Sequence, residues 1–447
     1  MKKQSIAIIF ITVLIDLVGF GLILPLIPIL SNNFGAGGWF RGAIVASYSL
    51  MQFVFAPIWG RVSDRVGRRP ILLGSTFCAC ISYVIFAYGC SLSNHTLALW
   101  VLLISRAFAG ICGANITVAQ AYIADITPPE KRSARMGVIG MAFGLGFILG
   151  PVIGGAALNP EGIWGPIVNW GPIANMVPEG LSHWLKHWSD VWTVQFGQTA
   201  PGWVAATFCA CNFMWAFARL PESWKPNMEE HVPQRPHLDQ WLHTLRTPHL
   251  NLLIGIFFLA TFCFTCFEST IGLLVMKNFQ IDTSTGVGLS RVSWLIAYCG
   301  FIGALIQGGG TGRLVKAMGE PKVIALSLVF AAVGIGVLPY IKGSWGWLLV
   351  GLGIFSIGSS LTRPPIFGMI SQLTAAHEQG TNIGVAQGVG SLARIFGPLF
   401  ANAVFDQHPA IPYVVCGVLS LVTALIAARY LTHVAKPALA ESSPVSP

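Results

Sequence analysis

The strongest constraint on this chain is a succession of apolar stretches, each long enough to cross a lipid bilayer as a helix. A helix needs about 20 mostly apolar residues to cross the hydrocarbon core, and runs of that length recur along the sequence. With 54% hydrophobic and 10% charged residues, the chain carries too much apolar surface for a soluble globule. The sequence therefore predicts an all-α membrane protein with twelve transmembrane helices in two six-helix bundles, at residues 1–28, 42–60, 71–90, 97–123, 135–158, 201–220, 250–276, 291–310, 322–341, 345–370, 380–405 and 410–433.

Positively charged residues are distributed unevenly between the two sides of the predicted membrane. The loops on the side of the amino terminus carry most of the lysines and arginines, including the stretch GRVSDRVGRRP at 60–70. Such an excess marks cytoplasmic loops, so we expect a multi-pass protein of the cell inner (plasma) membrane with both termini in the cytoplasm. The net charge of +9 then needs no nucleic acid to explain it. The expected partners are the lipid bilayer, protons and a small-molecule substrate, and the protein is expected to be a monomer.

The second half of the chain repeats the first. With small changes of register, corresponding residues are Asp16 with Glu268, Gly60 with Gly312, Gly67 with Gly319, and Gly150–Pro151 with Gly397–Pro398. Parallel repeats of this kind build transporters whose substrate sites lie near the middle of the membrane, between the halves. We therefore predict a six-helix bundle at 1–220, a cytoplasmic linker at 221–249, a second six-helix bundle at 250–434 and a disordered tail at 435–447.

A Trp-rich insertion at 159–200 separates the fifth and sixth spans on the outer side. Apolar residues recur in it at helical spacing: Leu181, Trp184, Leu185, Trp188, Val191 and Trp192. Tryptophan favours the membrane–water interface, so this pattern predicts an amphipathic helix on the outer surface. Surface anchoring is the expected role, and a lid over the substrate is the alternative.

Charged residues inside the spans are functional candidates, because each costs about 2.5–3.5 kcal/mol at the centre of a membrane helix. Asp16 lies about 16 Å into the first span at 1.5 Å per residue. Arg106 in the fourth span reaches the same depth, so we predict that these two residues pair. A carboxylate beside an arginine holds a proton weakly, and one buried without a cation holds it strongly. A helix motion that joins or separates the pair would therefore release or bind a proton.

Glu268 in the seventh span is the corresponding candidate of the second half. It is predicted to be a second proton site or to bind a cationic group of the substrate, with Arg394 in the eleventh span as its partner. A fixed ion pair that holds these two spans together is the alternative. Polar side chains within the spans are predicted to bind substrate: Asn115, Gln120, Arg363 and Gln387.

Several of these motifs together resemble those of the major facilitator superfamily. GRVSDRVGRRP, with Gly60 and Gly67, is similar to the loop signature between its second and third spans. Asp16 in DLVGFGLILPLIP and Arg106 in RAFAGICGAN resemble the first and fourth spans of its twelve-span drug/proton antiporters, and the nearest resemblance is to tetracycline/proton antiporters. The fifth span resembles the spaced pattern of its proton-coupled antiporters, at Gly137, Gly146, Gly150, Pro151, Gly154 and Gly155. Where tetracycline pumps carry aspartates in the third and ninth spans, this chain has Ser82 and Ala331.

The polar stretch at 60–70 is predicted to form a cytoplasmic hairpin. Asp64 can accept backbone N–H bonds at the positive start of a helix, and the resemblance implies that this helix is the eleventh span. Arginines of the stretch are expected to pair with Asp125 at the inner end of the fourth span and so to latch the inner face: Arg65, Arg68 and Arg69. The alternative is that these arginines serve membrane topology alone.

The resemblance implies a secondary active transporter, and not an enzyme, that exports a small organic compound or drug in exchange for protons by alternating access. The proton is the coupling ion, and no other cofactor is expected. Cys263 and Cys266 form a C-x-x-C motif without a second pair or a nearby histidine, so no metal site is expected. Two alternatives stay open, which are proton-coupled uptake of a sugar or other metabolite and a non-transporting receptor on the same scaffold.

Overall fold

The computed structural model describes residues 6–113, 115–127, 132–162, 179–223, 237–247, 249–282, 286–374 and 379–431. Within these residues the chain is almost wholly helical and contains no strand. Eleven of its helical segments are long and apolar enough to cross a membrane, which confirms the predicted all-α membrane fold. The predicted sixth span forms the helix Ala200–Arg219 but is not one of the eleven, because Asn212 and Pro201 lower its mean hydropathy.

The described part of the first half is built from nine helices. They are α1 (Ile6–Ile23), α2 (Ile27–Asn33), α3 (Gly38–Val66), α4 (Arg68–Ser91), α5 (His95–Cys112), α6 (Asn115–Asp125), α7 (Arg132–Leu158), α8 (Glu179–Phe196) and α9 (Ala200–Arg219). The first span is α1 followed by α2, and the fourth is α5 followed by α6. A 3₁₀ turn, Gly197–Thr199, joins α8 to α9.

The described part of the second half is built from eight helices. They are α10 (His237–Arg246), α11 (Leu250–Phe279), α12 (Gly286–Leu305), α13 (Thr311–Met318), α14 (Glu320–Val337), α15 (Trp345–Gln372), α16 (Gln379–Phe405) and α17 (Ile411–Ile426). The π-helical turn Ile306–Gly310 joins α12 to α13. A second π-helical turn, Ala427–Leu431, extends α17.

The polar stretch at 60–70 is helical except for one residue, which corrects the prediction of a longer hairpin loop. α3 continues to Val66 and α4 begins at Arg68. Gly67 alone makes the turn with a φ of 105°, in the left-handed region that glycine adopts readily. Gly319, with a φ of 81°, makes the corresponding one-residue turn between α13 and α14. The sequence shows where the chain reverses direction, but the polar residues of this stretch give no sign that both helices continue into it.

The chain divides into two compact units. The first comprises Met1–Pro226 and Ile271–Gly300, and the second comprises Asn227–Thr270 and Phe301–Pro447. In the first unit, a core of buried side chains from α1, α4, α6, α7 and α9 includes Ile9, Leu72, Tyr122, Ala142 and Ala216. In the second, a core from α11, α14, α15, α16 and α17 includes Leu253, Ile324, Ile366, Ala386 and Ala424.

The predicted polar linker at 221–249 contains a helix, α10, which the sequence analysis did not predict. Oγ1 of Thr244 lies 2.6 Å from Oδ1 of Asn382 on α16. The Trp241 ring fills the space left by Gly388, where an ideal Cβ would lie 2.5 Å from a ring carbon. A short helix needs little apolar surface to dock when the facing helix leaves such a gap, so the polar composition of the linker was misleading.

The amphipathic helix predicted in the insertion at 159–200 is present as α8. Nε1 of Trp192 donates to the backbone oxygen of Ala157 at 2.8 Å, and Ser189 on the same face is buried. Trp184 and Trp188 are 59% and 44% exposed. Residues 163–178 of the insertion, 224–236 of the linker and the predicted tail at 435–447 lie outside the described residues.

Candidate coupling and substrate sites

Asp16 lies on α1 beside α4 and α9. Its Oδ1 accepts a hydrogen bond from Nδ2 of Asn212 at 2.9 Å, and the Cys209 thiol lies 3.9 Å from the same oxygen. The side chain of Thr76 on α4 lies near the carboxylate, and its hydroxyl donates to the backbone oxygen of Leu72 at 2.9 Å. Asn212 and Cys209 thus join α9 to Asp16 through neutral groups.

Arg106 lies on α5 and is 2% exposed. Its guanidinium carbon is 5.4 Å from the centre of the Tyr83 ring and 5.1 Å from that of Phe86, distances at which a cation is attracted to an aromatic face. Nη2 donates to Oγ of Ser82 at 3.4 Å, and Nε has no hydrogen-bond partner among the described residues. Arg106 is thus a buried cation surrounded by aromatic and neutral polar groups.

The predicted pairing of Asp16 with Arg106 stays a prediction. Asp16 accepts from Asn212 on α9, whereas Arg106 donates to Ser82 on α4. Tyr83 interacts electrostatically with both side chains and lies against Gly19, one turn from Asp16. Depth along a span can be counted from the sequence, but the rotation of α1, which turns Asp16 toward Asn212, cannot.

The glycine pattern of the fifth span brings α7 into close contact with α1. A Cβ atom built on Gly146, Gly150 or Gly154 would come within 2.9 Å of an atom of α1, in Leu17, Gly21 and Leu22 respectively. Such contacts require glycine, because only glycine lets two helix backbones approach so closely. The predicted antiporter motif therefore packs against the helix that carries Asp16.

The remaining residues of the motif have different surroundings. Gly155 faces α12, where its Cβ would lie 3.2 Å from Cβ of Ser293. Pro151 is buried within α7. Gly137 lies in the same helix, but its surroundings fall outside the described residues.

The one-residue turn at Gly67 is surrounded by a network of charged groups. Arg68 pairs with Asp64 at 2.6 Å and, as predicted, with Asp125 at 3.1 Å. Oγ of Ser223, after the sixth span, donates to the same Asp125 oxygen at 3.1 Å. Asp64 therefore contacts Arg68 here, and its predicted contact with the start of the eleventh span stays a prediction.

Arg69 and Arg65 were also expected to pair with Asp125, but the structure places them elsewhere. Arg69 donates to the backbone oxygens of Leu220 at 2.8 Å and Phe217 at 2.9 Å. Arg65 is exposed on the last turn of α3, and Gly60 has open space around it. Carbonyls at the end of α9 attract Arg69 because the carboxyl end of a helix carries partial negative charge.

Glu222 was missed by the sequence analysis. Its carboxylate accepts the backbone N–H groups of Arg68 at 2.9 Å and Arg69 at 3.1 Å, so it caps the amino terminus of α4. A Cβ atom on Gly67 would lie 2.6 Å from Oε2 of Glu222, so the glycine also makes room for this cap. The sequence shows only a glutamate just past the sixth span, which cannot be told apart from an ordinary linker residue.

In the second half, Arg394 interacts electrostatically with both Glu268 and Arg363. The predicted neighbours Glu268 and Arg394 are therefore brought together. Nη2 of Arg363 donates to Oε1 of Gln387 at 3.3 Å. The Arg363 guanidinium carbon also lies 5.8 Å and 5.7 Å from the rings of Phe257 and Phe367.

Two of the four predicted substrate residues thus contact each other, namely Arg363 and Gln387. Gln120 is half-buried on α6. Asn115 opens α6, but its side chain falls outside the described residues.

The family model described as Major Facilitator Superfamily matches this chain over residues 9–310 and 281–446. The chain belongs to the major facilitator superfamily. It is 30% identical over 410 residues to tetracycline resistance protein, class D, of Salmonella ordonez, covering 91% of each chain. It is also 28% identical over 460 residues to major facilitator superfamily domain-containing protein 10 of Mus musculus, covering 95% of this chain and 92% of the relative.

Solved structures of this superfamily share the fold. The crystal structure of the human organic anion transporter MFSD10 (TETRAN) superposes with a TM-score of 0.63 at 23% identity, covering 94% of this chain and 98% of that chain. The predicted resemblance to tetracycline/proton antiporters within the superfamily is confirmed. The protein is a multi-pass membrane transporter of the major facilitator kind.

Proposed function

We propose that this transporter exports a small organic compound in exchange for protons by alternating access, across the inner (plasma) membrane and with both termini in the cytoplasm. The observation that carries the proposal is Asp16, a carboxylate within a membrane span that contacts Asn212 and Cys209 and lies near Thr76. Ionisable groups at such depths are costly and mark ion or substrate sites. Asn212 and Cys209, which contact its Oδ1, are neutral, so a proton can bind to Asp16 without a change in their charge.

The packing of α7 on α1 supports the same proposal. Because Gly146, Gly150 and Gly154 bring the two helices into close contact, a shift of α7 moves α1 and changes the distance from Asp16 to Asn212. Such a movement is what couples proton binding to a conformational change. Each proton that enters the cell contributes about 2.3 kcal/mol per 100 mV of membrane potential, which can drive export against a gradient.

The substrate that the geometry favours carries an acidic group. Arg106 is a buried cation whose Nε lacks a partner among the described residues, and a buried charge without a counter-ion is strongly unfavourable. The acidic group of a substrate would supply that counter-ion, and the Tyr83 and Phe86 rings would pack against its apolar part. The human MFSD10 structure is titled an organic anion transporter, in agreement with this class.

The cluster in the second half supports the same substrate class. Arg394 interacts with one glutamate, Glu268, and with a second arginine, Arg363, so the formal charges of the three leave an excess of one positive charge. The rings of Phe257 and Phe367 flank Arg363. An acidic compound with an apolar body matches both features.

Proton coupling is tested with inverted membrane vesicles in which respiration builds a pH gradient reported by a fluorescent dye. We expect a substrate to collapse the gradient with the wild-type protein and to have no effect with Asp16→Asn. The matched control is Asp190→Asn on the exposed face of α8, which should behave as wild type. A substrate response that persists in Asp16→Asn contradicts the role of Asp16. Accumulation of substrate by right-side-out vesicles would instead support proton-coupled uptake.

The substrate class is tested separately with one aromatic acid, its amide and an amine of the same shape. We expect the acid to be transported, Arg106→Gln to abolish this transport and Arg106→Lys to retain part of it. The control is Arg219→Gln, an exposed arginine of α9 that packs on Trp215. Transport of the amine and not the acid would overturn the acidic class and leave the proton-coupling experiment unaffected.

A further inference from the structure

A groove of about 530 Å³ opens in the first unit where the carboxyl end of α4 meets the turn between α8 and α9. Most of its lining is apolar, including Val84, Phe196 and Trp203, and its polar lining residues include Ser91, Gln195 and Thr199. Ser91 is the last residue of α4, and Val84 lies about 10 Å deeper along the helix at 1.5 Å per residue. Along α4, the groove therefore runs from a polar residue at the end of the helix to an apolar residue deeper in the membrane.

The groove continues a lipid-facing surface. Phe77, Ile81, Val84 and Tyr88 are 50%, 37%, 37% and 57% exposed and follow one another at helical spacing along a single face of α4. In a chain that spans the membrane, an exposed apolar face of this kind contacts lipid. Val84 and Tyr88 both belong to this face and line the groove, so the lipid contact of α4 leads directly into it.

Helix α8 is held next to the groove in a defined orientation. Trp192 fixes one face to the end of α7 through Ala157. An exposed apolar stripe lies beside that face, at Leu181, Trp184, Trp188 and Val191, and an exposed polar stripe lies on the far side, at His183, Lys186, His187 and Asp190. Tryptophan side chains at such a position are typical of the boundary between headgroups and acyl chains.

We propose that the groove binds one acyl chain of a phospholipid from the leaflet at the Ser91 end of α4, and that the Trp184–Trp188 stripe of α8 lies in the same leaflet. The lipid class follows from the continuity with the exposed face of α4 and from the mostly apolar lining, which ends in Ser91 at the carboxyl end of α4. Ser91 would lie level with the ester and headgroup region of that lipid. The proposal does not depend on the substrate or the coupling ion.

The proposal is tested by native mass spectrometry of the full chain, purified in detergent from vesicles of phosphatidylethanolamine with phosphatidylglycerol. We expect the wild-type protein to retain a phospholipid. Val84→Trp, which fills the groove, should lose it, and Ile81→Trp, on the same exposed face but outside the groove, should keep it. Absence of a retained phospholipid in the wild type, or equal retention by both variants, would overturn the proposal.

A second measurement does not require a filled groove and so remains valid if Val84→Trp fails to fold. The photoreactive residue p-benzoylphenylalanine is placed in turn at positions 88, 184 and 183, and the protein is irradiated in the same vesicles. We expect phospholipid adducts at 88 and 184 and few at 183, which lies on the polar stripe of α8. After detergent extraction, irradiation should still yield the adduct at 88. Loss of that adduct, or equal adducts at 183 and 184, contradicts the proposal.

Discussion

Nδ2 of Asn212 donates a hydrogen bond to Oδ1 of Asp16 at 2.9 Å and so joins the sixth span to the first at a carboxylate. The same nitrogen donates to the backbone oxygen of Thr12 at 2.8 Å, and Asn212 is fully buried. The amide therefore cannot rotate without breaking both bonds. Any movement of α1 relative to α9 must change the surroundings of Asp16.

Replacing Asn212 with leucine should impair transport as strongly as replacing Asp16. A hydrogen bond to a charged group contributes about 1.5–3 kcal/mol, and leucine also removes the fixed position of the carboxylate. Collapse of the pH gradient by substrate in inverted vesicles measures the effect. The control is Asn402→Leu, because Asn402 is equally buried but donates to the backbone of Pro398. A normal response from Asn212→Leu would remove Asn212 from the proton site.

Alanine at Gly150 should destabilise the protein and stop transport, whereas alanine at Gly144 of the same helix should do neither. A Cβ atom on Gly150 would lie 2.5 Å from the Gly21 backbone, while one on Gly144 would meet nothing within 4 Å. Overpacking of this kind costs about 1–3 kcal/mol, and an unobstructed Gly→Ala change in a helix gains up to about 1 kcal/mol. Thermal unfolding in detergent and vesicle transport measure both. Equal behaviour of the two variants would contradict the close packing of α7 on α1.

Alanine at Gly67 should be more destabilising than alanine at Gly319. Both glycines have positive φ angles, so both substitutions carry backbone strain of about 1–3 kcal/mol. At Gly67 the new Cβ would also displace the Glu222 carboxylate, and loss of a helix cap costs a further amount of about 0.5–2 kcal/mol.

Thermal unfolding of the double variant Gly67→Ala/Glu222→Ala separates the two contributions. The two changes remove the same cap, so their effects should be less than additive. Full additivity, or equal losses from Gly67→Ala and Gly319→Ala, would show that Glu222 contributes little to the end of α4.

An aspartate at position 82 should inhibit the transport of acidic substrates. Oγ of Ser82 lies 3.4 Å from Nη2 of Arg106, so a carboxylate there can pair with the guanidinium and compete with the substrate. We expect transport of an aromatic acid to fall about tenfold or more, which corresponds to about 1.4 kcal/mol or more. Ser82→Asn, which has the same shape and no charge, is the control and should reduce transport less. An unchanged rate in Ser82→Asp would separate Arg106 from the substrate.

Features that depend on composition and local pattern could be predicted from the sequence. Apolar run length gave the spans, helical spacing gave α8, and the glycines of α7 gave a close helix contact. The contact between Arg68 and Asp125 also followed, because both residues sit at span ends on the same side. Each of these depends on position along the chain or on one helix face.

Features that depend on how helices rotate and dock could not be predicted. Asp16 and Arg106 have the same depth, yet Asp16 faces Asn212 and Arg106 faces Tyr83 and Phe86. One asparagine in an apolar span carries no pattern that reveals its partner. Glu222 and Trp241 likewise act through long-range contacts with Gly67 and Gly388, and nothing near them in the sequence indicates these contacts.

The length of α3 has a practical consequence. Its 29 residues measure about 43 Å at 1.5 Å per residue, which exceeds the roughly 30 Å of hydrocarbon, and the one-residue turn at Gly67 joins it directly to α4. The projecting end exposes Asp64, whose side chain is 60% accessible, and Val66, which is 58% exposed. An antibody fragment raised against this rigid helical corner would add mass in a fixed orientation, which is the feature that electron cryomicroscopy needs to align particles of so small a membrane protein.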